Sequence, residues 1–362
     1  MAQMKYLLNR FKSVQIIGTF QKQIDTIYAF MYSREPMRYR RRILFLFMLA
    51  PFFASISAGQ TEHPVRQFEL RAESPRFWDL VDKDAKLERM ATGFGFTEGP
   101  VWDPAGFVYV SDEEQNKIYR VYDDGHRDEL IALGDPDGNT YDRNRNLIDC
   151  ASVLRAIIRI DANDHYTVLA DRFEGKRFNS PNDVVIGPDG AIYFTDPTLD
   201  LPQGEKQEIP FQGVYRLNEK GEVRLLTKEL TQPNGLAFSP DGKKLYVDDS
   251  KERNIRVYDF HPDGSLGEGR IFGNEAGPPH SGVPDGMKLD KNGNLYVTGP
   301  EGIWVWDAEG HHLGIIAMPE RPANLAWGDP DYGTLYITAT KSVYKLRTKV
   351  RGDVPYLKDA RP

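Results

Sequence analysis

Between residues 87 and 347, short runs of alternating apolar and polar positions follow turns rich in Gly, Asp or Asn, and this couplet recurs six times. The runs are Phe107-Val108-Tyr109-Val110, Leu147-Ile148, Ile192-Tyr193-Phe194, Leu245-Tyr246-Val247, Leu295-Tyr296-Val297 and Leu335-Tyr336-Ile337. Each turn is approached by a run of its own, ending on Trp102, Tyr141, Ile186, Phe238, Leu289 or Trp327. A period of two over a few residues is the mark of a half-buried strand, and no helical period competes with it. Units of roughly 40 to 50 residues, each with room for four short strands, have the size of propeller blades. The pattern therefore predicts an all-β fold, a six-bladed β-propeller over residues 87–347. Two or three such hairpins would suit a sandwich or barrel as well. Six in register favour a radial array, in which each blade buries its apolar face against its neighbours and only short edges remain. Closure is expected through a strand near 87–91 pairing with Val343-Tyr344-Lys345-Leu346. Residues 60–86 read as a linker and 348–362 as a tail.

The first 59 residues break the pattern. Arg38-Tyr39-Arg40-Arg41-Arg42 precede an apolar run over 43–54, and the small residues Ser55, Ser57, Ala58 and Gly59 follow. Charged, apolar, then small is the order of a secretory signal peptide, and the run is shorter than the ~20 residues a membrane-spanning helix needs. Export to the periplasm or the exterior is expected, with cleavage near residues 57–60 and no stable membrane span in the mature form; an N-terminal membrane anchor is the alternative. Residues 1–36 precede Met37 and fit an over-extended start. The composition, 40% hydrophobic with 32 Gly and 24 Pro, supplies a core and many turns. A formal net charge of −7 without a basic face argues against a nucleic-acid partner. The single Cys150 excludes an intrachain disulfide and is silent on redox compartment.

Registering the six units on the residue four before each anchor gives Glu98, Asp137, Asn182, Asn234, Asp285 and Ala323. Five of the six carry side-chain oxygens. The innermost strand of every blade begins near the axis, so these positions converge although they lie far apart in sequence. Carboxylate and amide oxygens without His or Cys suit one hard divalent cation, Ca²⁺ before Mg²⁺, Mn²⁺ or Zn²⁺. At any single position Asn or Asp could simply build a turn. Their flanks, Thr97-Glu98-Gly99-Pro100, Ser180-Pro181-Asn182-Asp183, Gln232-Pro233-Asn234-Gly235 and Pro284-Asp285-Gly286, are rigid in the way a ligand shell requires. Ala323 leaves the ring open on one side. The returning strands should bring Asp112, Asp196, Asp249 and Thr298 to the same face, as substrate groups or as caps of the next turn. Asp137, Asp196 and Asp249 are the substrate-binding candidates. The insertion at 197–212 is expected to line the pocket, with a plain blade connection as the alternative.

The segments Phe96-Thr97-Glu98-Gly99-Pro100-Val101-Trp102, Arg177-Phe178-Asn179-Ser180-Pro181-Asn182-Asp183, Pro233-Asn234-Gly235-Leu236 and Pro284-Asp285-Gly286-Met287 resemble the gluconolactonase/regucalcin/luciferin-regenerating-enzyme family over 87–347. The resemblance implies a propeller with a central divalent metal, commonly hydrolysing sugar lactones. Carried over by position, it implies Glu98, Asn182, Asn234 and Asp285 as metal ligands and Asp285 as the acid/base. The chain departs from the family twice. The regucalcin branch carries an arginine where Ser180 stands, and the gluconolactonase branch often shows Cys-x-His where this chain has Cys150-Ala151-Ser152. The expected function is a metal-dependent hydrolase of a small cyclic ester, a carboxylic ester hydrolase of gluconolactonase type acting on a lactone or ester. The alternatives are a phosphotriesterase-like hydrolase using the same site and a non-catalytic binding propeller with a structural metal.

Overall fold

A computed structural model of the chain describes residues 66–278 and 281–357; the expected export signal lies outside the described residues. Six antiparallel sheets form the blades as the sequence pattern requires, and a seventh, two-stranded one pairs Arg172–Phe173 with Lys176–Arg177. In the first blade the strands run outward from the axis as Thr97–Asp103, Phe107–Asp112, Lys117–Tyr122 and Arg127–Ala132. The inner strands of the other five are Pro136–Tyr141, Val184–Ile186, Pro233–Phe238, Met287–Leu289 and Pro322–Gly328. The sixth blade takes its outermost strand from the start of the domain: Leu87–Thr92 pairs antiparallel with Ser342–Arg347, Leu87 opposite Leu346. This closes the ring without leaving an edge at the chain's junction.

The aromatic anchors explain why the blades stack. Trp102 and Trp327 are almost fully buried, each in the apolar layer between two blades. Edge-to-face pairs cross the layers between blades, Tyr296 with Trp327 at 5.2 Å and Tyr193 with Phe238 at 4.8 Å between ring centres, the arrangement the ring quadrupoles favour.

Residues 66–86 do more than link. Glu69–Ala72 adds a fifth strand to the fifth blade by pairing with His312–Ala317, and the short helix Phe77–Leu80 inserts a fully buried Phe77 into the layer between the fifth and sixth blades. The sequence hid this because four residues cannot display a period. Phe77→Ala is expected to destabilise the propeller by about 3–5 kcal/mol, the usual effect of deleting a buried aromatic ring; a denaturant titration of the two proteins measures it. The tail is likewise docked. Residues 353–356 close the axial channel on one face, leaving a void of about 50 Å³ against Val101, Val185 and Lys288. Among the described residues no helix is long and apolar enough to cross a membrane.

Candidate functional site

At the opposite end of the axis the inner strands open into a cavity of about 560 Å³, within the range of small-molecule sites. Glu98, Asp137, Asn182, Asn234 and Asp285 all line it, so the ring read from the sequence converges in space. The backbone aims them. Four inner strands slip register where the ligand position falls, between Glu98 and Val101, Pro136 and Asn139, Pro233 and Leu236, and Pro322 and Asn324. A bulge at that point turns a side chain out of the pleat and toward the axis. The residue after the bulged position must be small where strands crowd. A Cβ on Gly235 would lie 2.0 Å from the Asp285 carbonyl oxygen, and Gly99, at φ +50°, would bring one to 2.2 Å from the Asp137 carbonyl oxygen. Glycine is the residue that fits both.

The amide side chains are oriented by their nitrogens. Asn182 Nδ2 donates to Asp137 Oδ2 at 2.7 Å; Asn234 Nδ2 donates to Ser250 Oγ at 3.2 Å. Each amide is thus held by its nitrogen, and no described residue hydrogen-bonds either Oδ1, so both oxygens are left to the cavity. Glu98 Oε2 accepts the Gly99 N–H at 2.7 Å and Asn324 Nδ2 at 2.9 Å, which leaves Oε1 as its free atom. Carboxylates crowd this space. Burial, assisted by the charge of Asp183, pushes Glu98 up to about 7. Burial and then Glu113 and Glu98 hold Asp137 well above the ordinary carboxylate range. Asp285 is raised well above it too, by burial and Glu98, with Arg321 opposing. Such a group of carboxylates cannot ionise together unless positive charge joins it. The free oxygens are hard and anionic or amidic, and they fit a divalent cation of the calcium type.

Other predicted groups lie elsewhere. Asp196 and Asp249, candidates for substrate binding, are buried and do not line the cavity. Asp249 accepts the backbone N–H groups of Thr231, Gln232, Lys251 and Glu252, and Asp196 accepts that of Asn179 at 2.9 Å. Asp112 braces Gly95, Phe96 and Gln115 in the same way, and Thr298 bonds Gly286 and Ala323. These residues cap loops, because an aspartate at a strand end meets several orphan N–H groups at once. Asp249→Ala is expected to lower stability by about 1–3 kcal/mol through those unsatisfied donors while cation affinity stays as it was; thermal melts and calorimetric titration with Ca²⁺ separate the two.

The position of Ala323 is not an empty sector. Its neighbour Asn324 spans the gap to Glu98, and Lys288 Nζ donates to Asn324 Oδ1 at 3.2 Å from the layer below. Lys288, Asn324, Glu113 and Arg321 are not marked by the sequence pattern, and of these only Asn324 and Lys288 stand on inner strands, one and three residues past the registered position, while Leu199 and Asp200 come from the insertion expected to line the pocket. The changed Ser152 donates to the Pro181 carbonyl at 2.8 Å, beside Asn182. Away from the cavity, Asp307, Glu309 and His311 form a close acidic group on an exposed hairpin, where Asp307 caps the turn and pairs with Arg76.

Comparisons with known proteins agree with this architecture. A family model described as SMP-30/Gluconolactonase/LRE-like region matches residues 96–341. The chain is 34% identical over 308 residues to a gluconolactonase of Zymomonas mobilis, covering 77% of this chain and 86% of that one. The solved structure of a Xanthomonas campestris gluconolactonase superposes with a TM-score of 0.71 at 32% identity, over 77% of this chain and 94% of the other. A calcium-binding protein, regucalcin, from Agrobacterium tumefaciens shares the fold at a TM-score of 0.63 and 20% identity, over 74% and 96% of the two chains.

Proposed function

Given that the chain belongs to the SMP-30/gluconolactonase/LRE-like family, we propose that it is a metal-dependent lactonase that opens a sugar lactone. The observation that carries this reading is the meeting of Glu98, Asn182, Asn234 and Asp285 at the floor of one solvent-connected cavity, with Glu98 Oε1 and both amide Oδ1 atoms free of hydrogen bonds to the described residues. These four side chains would hold the cation, Ca²⁺ first by the hardness of its donors. When bound, a divalent cation supplies Lewis-acid polarisation of an ester carbonyl.

The remaining chemistry belongs to the chain. Water adds to the lactone carbonyl, the ring C–O bond breaks, and one proton travels from the water to the departing alkoxide. Asp285 is the group placed to carry it, since burial and Glu98 make its carboxylate more basic than an exposed one. Arg321 opposes that rise with its positive charge. Asp137 holds the Asn182 amide in place through its nitrogen, and Asn324 holds Glu98. Export, with a mature N-terminus near residues 57–60, belongs to the same proposal, supported by the charge and apolar order of residues 38–59; N-terminal sequencing of the protein recovered from cells tests it.

The activity is tested by adding the protein to a weakly buffered aldonolactone solution and following acid release above the spontaneous rate. Release should depend on added Ca²⁺, Mg²⁺, Mn²⁺ or Zn²⁺ and fall sharply in Glu98→Gln. An unchanged rate in that variant, or equal rates with and without chelator, would sink the reading.

A further inference from the structure

The charged side chains that line the cavity are sorted by blade. Glu113, Glu114 and Asp200 come from the first and third blades, whereas the three cations, Lys251, Arg253 and Arg321, come from the stretch between the fourth and the sixth. Arg253 is partly committed, since its Nη1 donates to the Gly277 carbonyl at 3.1 Å. Arg321 is held differently. Its guanidinium lies over the Phe96 ring, 5.3 Å from the ring centre, and among the described residues no carboxylate forms an ion pair with it. A cation over an aromatic face is fixed by the ring quadrupole without spending an N–H donor.

The surrounding chain makes this placement firm. Arg321 stands immediately before Pro322, at the entry to the sixth blade's inner strand, where a following proline restricts the backbone to extended conformations. Its carbonyl accepts the Thr340 hydroxyl at 3.1 Å. The adjacent Glu320 is no competitor for the guanidinium, because it accepts Ser342 Oγ at 2.6 Å, the Tyr344 hydroxyl at 2.8 Å and the Lys341 N–H at 3.0 Å. The platform is fixed as well. Phe96 N–H donates to Asp112 Oδ1 at 3.3 Å, and its carbonyl accepts the Glu113 N–H at 3.0 Å. Arg321 therefore enters the cavity wall as a positioned cation with donors to offer, near enough to Asp285 for its charge to act on that carboxylate.

Lactone opening turns a neutral substrate into an anion. Water adds to the carbonyl carbon and negative charge builds on the carbonyl oxygen. The ring C–O bond then breaks, the alkoxide takes the proton that Asp285 carries, and the new carboxyl group gives its own proton to solvent and remains as a carboxylate. A planar guanidinium matches both carboxylate oxygens at once, and its hydrogen bonds strengthen as the acceptor becomes charged. We propose that Arg321 is a catalytic residue at the carboxyl end of the substrate: held over Phe96, its guanidinium donates to the oxygen on which charge develops and pairs with the carboxylate of the product. This deepens the lactonase reading and rests on it.

The experiment measures kcat and KM for a neutral aldonolactone in wild type, Arg321→Gln and Arg321→Lys, together with inhibition by the open-chain aldonate and by the uncharged aldonamide of the same length. Arg321→Gln should lower kcat by about a hundredfold, the usual effect of removing one donor to a developing oxyanion, with KM for the neutral lactone within about threefold. The same variant should weaken the aldonate by about tenfold or more and the aldonamide by less than about threefold. Arg321→Lys, which keeps the charge and loses the fork, should fall between the two proteins in both respects. A kcat within about threefold of wild type in Arg321→Gln overturns the catalytic role. Aldonate inhibition equal to wild type, or an aldonamide weakened as much as the aldonate, overturns the carboxylate contact; each of these results leaves the lactonase reading intact. If wild type opens no lactone, the lactonase reading fails. Calorimetric titration of aldonate and aldonamide into wild type and Arg321→Gln with Ca²⁺ present then decides the contact without turnover: a preference for the aldonate that the variant loses upholds it, and a preference that is absent or unchanged overturns it.

Discussion

Asp285→Asn is expected to lower turnover of the lactone by about a thousandfold, near the middle of the range that a positioned acid/base contributes, without unfolding the protein. The substitution keeps a side-chain oxygen in the cavity and removes the proton carrier. It also removes one of the negative charges that hold Asp137 and Glu113 above their ordinary ranges. Stability of the cation-free protein should therefore stay level or rise, because the wild-type side chain is a buried carboxylate facing others. Affinity for Ca²⁺ should fall, since a neutral amide attracts a divalent ion less than a carboxylate does. Steady-state rates beside thermal melts in chelator give both quantities. A variant within tenfold of wild-type turnover would remove Asp285 from the chemistry, and a large drop in melting temperature would recast it as a structural group.

Withdrawing the cation should destabilise the propeller in a pH-dependent way, and the sign is fixed by Glu98. Its carboxyl titrates at about 7 in the folded chain against an ordinary value of 4.5. Below the lower value both states are protonated and burial of the group costs nothing. Between the two the unfolded chain has released a proton that the folded chain retains, so stability falls as pH rises, and the loss is complete above about 7. Asp137 and Asp285, raised for the same reason, extend the trend. In chelator, the melting temperature should be higher near pH 5.5 than near pH 7.5. Cation at about a hundred times its dissociation constant should restore roughly 2.7 kcal/mol at the higher pH, about 5–10 °C for a domain of this size, and little at the lower pH, where protons already occupy the carboxylates. Equal cation-induced shifts at both values would mean that the ion binds away from these groups.

Much of this architecture is legible in the sequence, and the reason is repetition. A strand announces itself weakly, but six copies of one turn and one alternating run fix their own register, and the register then identifies Glu98, Asp137, Asn182, Asn234 and Asp285 as equivalent positions that a closed ring must bring together. The closing strand at Leu87–Thr92 followed from the same logic, since a ring of blades leaves one place vacant. What escaped were the elements that do not repeat. The strand Glu69–Ala72 and the buried Phe77 occur once, as do the residues that plug the channel.

The sequence by itself determined the blade count and which oxygens share the axis, because hydrophobic alternation and turn chemistry are local properties written into consecutive residues. Only the tertiary structure decided what those oxygens do with their hydrogen bonds. Asp249 and Asp196 spend theirs on loop N–H groups, Asn182 and Asn234 spend their nitrogens and keep their oxygens, Asn324 crosses from the sixth blade to Glu98, and Ser180 turns a sixteen-residue insertion, 197–212, toward the cavity. These outcomes depend on partners 16 to 226 positions away, and in a buried polar site it is the partner, not the residue type, that sets whether an oxygen is free to act.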